Sequence, residues 1–406
     1  MPTFFNYTEN GVAYAFDDVF VPYDVFRQGG LWSWGTNGTG QLGDNTASSK
    51  LTPVTTFSGG INWRQVSGGV GICAGIKVDG TLWVWGNNNY GQLGINDTIA
   101  RSTPVTTFAG GNNWKQVGCG GAYNIAAIKT DGTLWVWGSN VYSQLGTNDT
   151  ANRTTPTTTF AGGNNWNQVA GGGSNAVGMG NFAAIKTDGS LWVWGNNSSG
   201  QLGTNDLITK STPVTTFAGG NNWLQVDCSF RSFHTGAVKT DGTLWVWGAN
   251  SVNQLGDTTT TGRSTPITTF AGGVDWTQVA CGQFHTAGVK NSGTLYTWGR
   301  GSYGQLGNNI LGSSAATPIT TFSGGTNWKQ VTCGYRHTAA VKTDGTLWAW
   351  GDNSYGQLGI NVSGAGQYLT PVTTFAGGTN WKQVSRGEGS GQDGDTYAIQ
   401  YIDSYL

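Results

Sequence analysis

LWVWGNNNYGQLG, the sequence from Leu82 to Gly94, decides the fold of this chain, because close copies of it recur along almost the whole length. Its opening phrase, Leu-Trp-x-Trp-Gly, occurs seven times at intervals of 51 to 57 residues, once in the form Leu-Tyr-Thr-Trp-Gly. The copies begin at Leu31, Leu82, Leu134, Leu191, Leu244, Leu295 and Leu347. Similarity at such a period indicates tandem structural units that stack on one another.

Two further phrases mark each unit. Trp-x-Gln-Val begins at Trp63, Trp114, Trp166, Trp223, Trp276, Trp328 and Trp381. Thr-Pro places prolines at Pro53, Pro104, Pro156, Pro213, Pro266, Pro318 and Pro371. The apolar runs between these marks are short, rich in β-branched and aromatic residues, and bounded by Gly, Asn or Pro, which is the pattern of β-strands.

The units predict an all-β fold, a seven-bladed β-propeller whose blades have four strands each. Asp-Gly pairs such as Asp79-Gly80 and Asp131-Gly132 separate two of the runs, and we expect type I′ hairpin turns there. The two tryptophan phrases account for all 20 Trp of the chain. We therefore expect the tryptophans to pack between blades, in preference to forming a sugar or nucleotide platform.

The last unit is incomplete, and this predicts how the ring closes. After Trp381 the chain ends at Leu406 without a Leu-Trp-x-Trp-Gly strand of its own. The first copy of that strand, residues 31–35, has no preceding strands to pair with. We expect this N-terminal strand to complete the C-terminal blade, because closure removes the sheet edges that an open ring would expose.

Composition excludes several classes of function. Charged residues make up 10% of the chain and the net charge is −1, whereas a general nucleic-acid surface needs a basic excess. No stretch approaches the roughly 18 apolar residues of a membrane-spanning helix. The first residues lack the basic and apolar regions of a signal peptide. We expect no nucleic-acid partner, no membrane span and no secretion signal.

The repeated unit resembles the regulator-of-chromosome-condensation repeat, in the phrase Asp-Gly-x-Leu-x-x-Trp-Gly-x-Asn-x-x-Gly-Gln-Leu-Gly, over about residues 29–406. The resemblance implies a seven-bladed propeller. It leaves function open, because the family includes nucleotide-exchange factors, enzyme inhibitors and ubiquitin-ligase modules. Exchange factors of the family engage their GTPase through a large protruding insertion, and the absence of one of that size here argues against exchange activity.

No phosphate-loop, nucleophile-elbow or zinc-protease motif occurs, so we expect no catalytic residue, no cofactor and no bound metal. Four of the five cysteines occupy one equivalent position in different units, too far apart for a disulfide, and we expect buried free thiols. They are Cys119, Cys228, Cys281 and Cys333. The three histidines, His234, His285 and His337, are equivalent too, and we expect structural hydrogen bonds there in preference to a metal site.

Two loop features are candidates for partner binding. The residue three positions before the proline is a cation in five of the seven units, and this arc would attract an anionic partner unless Asp97, Asp149 and Asp206 pair with it locally. The cations are Lys50, Arg101, Arg153, Lys210 and Arg263. Residues 171–181 and 386–395 are longer, Gly-rich segments, and we expect both to be loops on one face, either binding insertions or flexible connections.

Residues 1–28 lie outside the repeat and form an aromatic-rich arm with a net charge of −3. Burying each large side chain of the arm is worth roughly 1.5–3 kcal/mol, so we expect the arm to dock, either on its own propeller or, as we favour, on another protein. The candidate contact residues are Phe4, Phe5, Phe16, Phe20, Tyr23 and Phe26.

These features favour a non-enzymatic structural or display protein, anchored by its arm and binding a protein or host-surface ligand through a propeller face. A phage virion component is the preferred version, with the virion as its location and the cytoplasm as the alternative. The second interpretation is a soluble protein-binding module or inhibitor. A guanine-nucleotide exchange factor is the third.

Overall fold

The computed structural model describes residues 28–402 except 58–59, 175–177, 363–365 and 389–393. This part of the chain contains twenty-eight strands in seven antiparallel four-stranded sheets, and no helix. The strands are β1 (Gln28–Gly35), β2 (Lys50–Thr55), β3 (Trp63–Gly68), β4 (Ile72–Lys77), β5 (Leu82–Gly86), β6 (Arg101–Thr106), β7 (Trp114–Cys119), β8 (Asn124–Lys129), β9 (Leu134–Gly138), β10 (Arg153–Thr158), β11 (Trp166–Ser174), β12 (Met179–Lys186), β13 (Leu191–Gly195), β14 (Lys210–Thr215), β15 (Trp223–Cys228), β16 (His234–Lys239), β17 (Leu244–Gly248), β18 (Arg263–Thr268), β19 (Trp276–Cys281), β20 (His285–Lys290), β21 (Leu295–Gly299), β22 (Ala315–Thr320), β23 (Trp328–Cys333), β24 (His337–Lys342), β25 (Leu347–Asp352), β26 (Gln367–Thr373), β27 (Trp381–Glu388) and β28 (Gly394–Ile402).

Each sheet is one blade of a seven-bladed propeller. Blades 1 to 6 consist of four consecutive strands, from β3–β6 to β23–β26, and blade 7 combines β27 and β28 with β1 and β2. The closing strand β1 pairs with β28 along eight residue pairs, from Gln28 opposite Ile402 to Gly35 opposite Asp395. The predicted all-β propeller and its closure by the N-terminal strand are both confirmed.

The propeller has two faces that differ in their connections. The hairpin face carries the short turns between the second and third strands of each blade, such as residues 78–81, and the first residue of each innermost strand. The loop face carries the connections between the third and fourth strands, such as residues 87–100. Both ends of the described chain lie on the hairpin face, because β1 begins there at Gln28 and β28 ends there at Ile402.

The predicted type I′ geometry of the Asp-Gly hairpins is wrong. In the turn between β4 and β5, Gly80 has a φ of 81°, whereas Asp79 stays at negative φ. The Gly80 N–H donates to the Lys77 carbonyl, and the Lys77 N–H donates to the Thr81 carbonyl, which is a type I turn followed by a left-handed glycine. Asp79 acts through its side chain, which accepts the Thr81 N–H and O–H at 2.9 and 2.7 Å.

The core lies between blades, as the placement of the tryptophans predicts. In blade 1 the rings of Trp63 and Trp85 meet edge to face with centroids 6.0 Å apart. The Trp85 indole N–H crosses to blade 7 and donates to the Gln41 carbonyl at 2.7 Å. The ammonium of Lys77 lies 4.3 Å from the centroid of Trp83 and closes the hairpin-face end of this core. The indole-to-carbonyl hydrogen bond recurs in all seven blades. The lysine contact recurs in blades 1 to 6, whereas blade 7 has Gln400 at that position.

A ring of seven glutamines joins the innermost strands around the central channel. Gln116 shows the pattern: its Nε2 donates to the Val169 carbonyl at 2.9 Å, and its Oε1 accepts the Val169 N–H at 2.8 Å. Six of the side-chain amides bond in this way to both the N–H and the carbonyl of a valine in the next blade, and Gln168 accepts the Val226 N–H. The glutamine ring comprises Gln65, Gln116, Gln168, Gln225, Gln278, Gln330 and Gln383.

Candidate protein-binding faces

The arc of five cations on the loop face is paired within its own loops. Each cation lies 2.5 to 3.0 Å from an aspartate carboxylate. The pairs are Lys50–Asp44, Arg101–Asp97, Arg153–Asp149, Lys210–Asp206 and Arg263–Asp257. Local pairing therefore holds at all five positions, including the two where the aspartate lies six residues before the cation. Partner binding by the arc stays a prediction.

The three histidines form structural hydrogen bonds between blades. The Nε2 atoms of His234, His285 and His337 lie 2.9 to 3.0 Å from a threonine Oγ1 of the following blade. Desolvation by burial lowers the pKa to about 3 for His234 and His285 and to about 4 for His337. No group of His, Cys, Asp and Glu in the described residues has the arrangement of a metal site.

All five cysteines are free and buried, as the sequence predicts. Desolvation raises the pKa of the Cys119, Cys228 and Cys333 thiols to about 12, and it raises the pKa of Cys73 and Cys281 well above the usual range of a thiol. Because the thiolate is the reactive form, none of these side chains is a nucleophile at neutral pH.

The two long Gly-rich segments are mostly strand, so their description as loops is wrong within the described residues. In the first segment, Gly171 pairs with Phe182 and Ser174 pairs with Met179, which extends β11 and β12 onto the loop face. The glycines permit this close packing: a Cβ on Gly172 would lie 2.6 Å from Cys228 Cβ. The second segment likewise continues β27 through Glu388 and starts β28 at Gly394.

The loop-face end of the central channel is closed by Arg386, which reaches across the ring from blade 7 to blade 4. Its Nη1 and Nη2 atoms lie 2.9 and 3.1 Å from the two carboxylate oxygens of Asp227. The guanidinium also donates to the carbonyls of Cys228, Cys281 and Cys333. Burial opposes the charge, but Asp227 outweighs that effect and raises the pKa of Arg386, so the residue is a cation.

A second ion pair lies next to the first. Arg231 Nε is 2.7 Å from Glu388 Oε2, and Glu388 is buried. Desolvation raises the pKa of Glu388, and the nearby arginines only partly offset it. The Phe230 ring packs on Arg386 at 4.3 Å. We call Asp227, Phe230, Arg231, Arg386 and Glu388 the channel plug, and it joins blades 4 and 7 across the axis.

Next to the plug lies a half-buried cluster of arginines and aromatic rings on blades 5 and 6, in which Tyr335 is buried. The Arg336 guanidinium lies 4.1 Å from the Tyr303 centroid and 4.7 Å from the Tyr335 centroid. Arg300 lies 5.3 Å from the Phe284 centroid, and Arg231 lies 5.1 Å from that of Tyr335. We call Phe284, Arg300, Tyr303, Tyr335 and Arg336 the aromatic–arginine patch. Tyrosine and arginine are the types enriched at protein-binding hot spots.

Neither the plug nor the patch was predicted from the sequence. One signal was present: the position of Arg386 holds Gly or Cys in the six other units. Those residues are Gly68, Cys119, Gly171, Cys228, Cys281 and Cys333. A single charged residue at a small, buried position of a repeat marks a contact that the repeat itself does not make.

Two further predictions concern the N-terminal arm and the absence of a membrane span. The arm candidates Phe4, Phe5, Phe16, Phe20, Tyr23 and Phe26 lie outside the described residues, and so does almost all of the predicted arm, residues 1–28. Among the described residues, no helix is long and apolar enough to cross a membrane.

The repeated unit of this chain matches the model of a known protein family. The model of the regulator of chromosome condensation (RCC1) repeat matches residues 28–76, 79–127, 131–178, 188–238, 241–289, 292–341 and 344–390. The chain belongs to the RCC1 repeat family. The matches cover most of its length, and the RCC1 resemblance seen in the sequence is confirmed.

Curated relatives of this RCC1-repeat chain have diverse descriptions. The ultraviolet-B receptor UVR8 of Arabidopsis thaliana is 32% identical over 70% of this chain and 64% of its own length. The E3 ubiquitin-protein ligase HERC2 of Homo sapiens is 27% identical over 86% of this chain, which spans only 7% of that protein. The ligase activity is named for the whole of HERC2, of which this chain matches only that small part.

Solved structures support the fold. Human WBSCR16 has a TM-score of 0.76 at 22% identity, covering 91% of this chain and 99% of that one. Yeast RCC1 (Prp20), in a structure bound to Kap60, has a TM-score of 0.78 at 17% identity, covering 99% of this chain and 96% of that one. At these identities the likeness establishes the seven-bladed architecture and no shared activity.

Proposed function

We propose that this RCC1-repeat propeller is a non-enzymatic protein-binding module whose contact surface is the aromatic–arginine patch. The observation that carries the proposal is the stacking of Arg300 and Arg336 on Phe284, Tyr303 and Tyr335 on the loop face. Stacking holds the long arginine side chains in place before binding, which reduces the entropy lost on association. The guanidiniums match carboxylates of a protein partner, and the half-buried Phe284 and Tyr303 rings supply apolar contact.

The cation arc offers a matched control on the same face. Arg300→Ala with Arg336→Ala removes two cations from the patch, and Arg101→Ser with Arg153→Ser removes two from the arc. Affinity capture from cells of the source organism, quantified for each variant, separates the two surfaces. We expect the partner to be lost by the patch variant and retained by the arc variant. Loss only with the arc variant would transfer the function to the arc.

Two finer predictions are tested separately. Exchange activity is assayed by nucleotide release from a panel of GTPases, and we expect no acceleration. Display on a virion or cell surface requires residues 1–28 to bind another protein. The support for that role is the composition of the arm and the start of β1 at Gln28, which lies on the face opposite the patch, so that anchoring there would leave the patch directed outward.

A further inference from the structure

Seven phenylalanines stand exposed on the hairpin face, one from each blade. Each ends the Thr-Thr-Phe sequence that follows an outermost strand, and each is 63 to 71% exposed. They are Phe57, Phe108, Phe160, Phe217, Phe270, Phe322 and Phe375, which we call the phenylalanine ring. A phenylalanine side chain has about 200 Å² to bury, so the seven together leave roughly 900 Å² of apolar surface in water, distributed over the seven blades.

The turn does not need these side chains. In every blade the phenylalanine uses only its backbone N–H, as in Phe108 donating to the Gly94 carbonyl at 2.8 Å, which a residue of any type except proline could do. At a neighbouring position on the same face, directly after the innermost-strand tryptophan, the units differ widely. They read Arg64, Lys115, Asn167, Leu224, Thr277, Lys329 and Lys382. The repeat thus tolerates change on this face yet carries phenylalanine seven times where it is exposed.

The chain itself supplies a segment at this face. Strand β1 begins on the hairpin face at Gln28, so residues 1–27 join the propeller there. That segment contains eight aromatic residues. Fully extended, 27 residues reach at most about 90 Å, and a domain of this size is roughly 50 Å across, so the segment is long enough to cross the face.

The charge of the hairpin face is opposite in sign to that of residues 1–27. Among the described residues, the hairpin face carries ten cations and six aspartates, a net charge of +4, against −3 for residues 1–27. The cations are Arg64, Lys77, Lys115, Lys129, Lys186, Lys239, Lys290, Lys329, Lys342 and Lys382. The aspartates are Asp79, Asp131, Asp188, Asp241, Asp275 and Asp344. The loop face does not offer this excess, because its cation arc is paired with aspartates.

We propose that residues 1–27 bind the phenylalanine ring of their own chain and cover the hairpin face. The segment then leaves the loop face, with its aromatic–arginine patch, as the surface open to a partner. This inference is independent of partner binding by the patch, because no residue of the patch takes part in it. It is the alternative to display through the arm, which requires residues 1–28 to bind another protein.

Limited proteolysis of the full chain tests the proposal. Chymotrypsin cleaves after exposed aromatic residues, so a bound arm is protected and a free one is cut. We compare wild type with a variant carrying Phe108→Ser, Phe160→Ser and Phe217→Ser, and with a control carrying Ile99→Ser, Leu207→Ser and Ile208→Ser on the loop face. We expect cleavage of residues 1–27 at least about tenfold faster in the phenylalanine variant, and no change in the control.

Photo-cross-linking of the full chain gives a second readout that needs no variant of the ring. Benzoylphenylalanine at position 16 should cross-link to the segments that contain the phenylalanine ring, within a single chain. Cross-links between two chains would show that the arm binds a second copy, and cross-links to the loop face would place it elsewhere. Either result, or equally rapid cleavage of the arm in wild type and in both variants, overturns the proposal.

Discussion

Acid should destabilise this propeller from about pH 6.5 downward, through the three buried histidines. In each interblade contact the threonine hydroxyl donates its only proton to a glutamine carbonyl, as Thr286 does to Gln254 at 2.7 Å. The threonine oxygen must therefore accept from Nε2–H of His234, which fixes the neutral tautomer. A second proton would enter at Nδ1, which is buried with no hydrogen-bond partner. Protonation thus places an unsatisfied charge in the core.

The sign and size of this change in stability follow from the shifts in the histidine pKa values. Burial lowers the folded pKa to about 3 for His234 and His285 and about 4 for His337, from 6.5. The unfolded chain therefore binds more protons between these values, and stability falls as the pH falls. At pH 5 each histidine costs roughly 2 kcal/mol relative to pH 8, about 6 kcal/mol for the three. Glu388 has the opposite sign, since its pKa is raised in the folded state.

The chain contains its own control, because Asn124 and Asn181 occupy the histidine position in blades 2 and 3. Urea unfolding followed by tryptophan fluorescence at pH 8, 6 and 5 gives the free energy of unfolding. We expect each His→Asn substitution to remove about 2 kcal/mol of the loss between pH 8 and pH 5. If the triple variant lost as much stability as wild type over this range, the histidines would not be its source.

Three other predictions concern the joints of the ring. Gln116→Ala leaves the Val169 N–H and carbonyl without a partner, and we expect about 1–3 kcal/mol less stability in urea unfolding; an unchanged midpoint would contradict the role of the glutamine ring. Arg386→Met should cost about 3 kcal/mol or more, because Asp227 loses its partner, and adding Asp227→Asn should restore part of it. Deleting residues 29–36 removes most of β1 and opens blade 7, so the melting temperature should fall; a deletion variant that melts with wild type would refute closure by β1.

The sequence was sufficient to predict the ring because each blade repeats the same local signals. Seven copies of Leu-Trp-x-Trp-Gly and Trp-x-Gln-Val predict the number of blades. The missing Leu-Trp-x-Trp-Gly strand after Trp381 predicts that the N-terminal strand closes the ring. The predicted turn type was wrong for a physical reason. Asp-Gly suits a two-residue type I′ turn, but the hairpin has one more residue, and only Gly80 needs the left-handed conformation.

The channel plug could not be predicted, because its partners meet only after the ring has closed. Asp227 and Arg386 are 159 residues apart and lie on blades 4 and 7. No local pattern links them, and the repeat spacing says nothing about contacts across the axis. The cation arc was different, since each cation and its aspartate share one short loop, as Arg101 and Asp97 do.

The two faces of the propeller therefore differ in the residues that they offer to a binding partner. The hairpin face presents residues that repeat in every blade, and the loop face presents residues that depart from the repeat. A surface built from the repeat presents the same group seven times, as the phenylalanine ring does, and it suits an aromatic-rich segment that needs apolar surface and no single orientation. Recognition of one partner in one orientation requires residues that break the repeat, because equivalent sites would otherwise bind it in seven ways. On the loop face these exceptions, Arg386 in the plug and Arg300 with Arg336 in the patch, lie on the consecutive blades 5 to 7. The plug also fixes those blades relative to one another. The residues that depart from the repeat therefore make the patch unique and also hold it rigid.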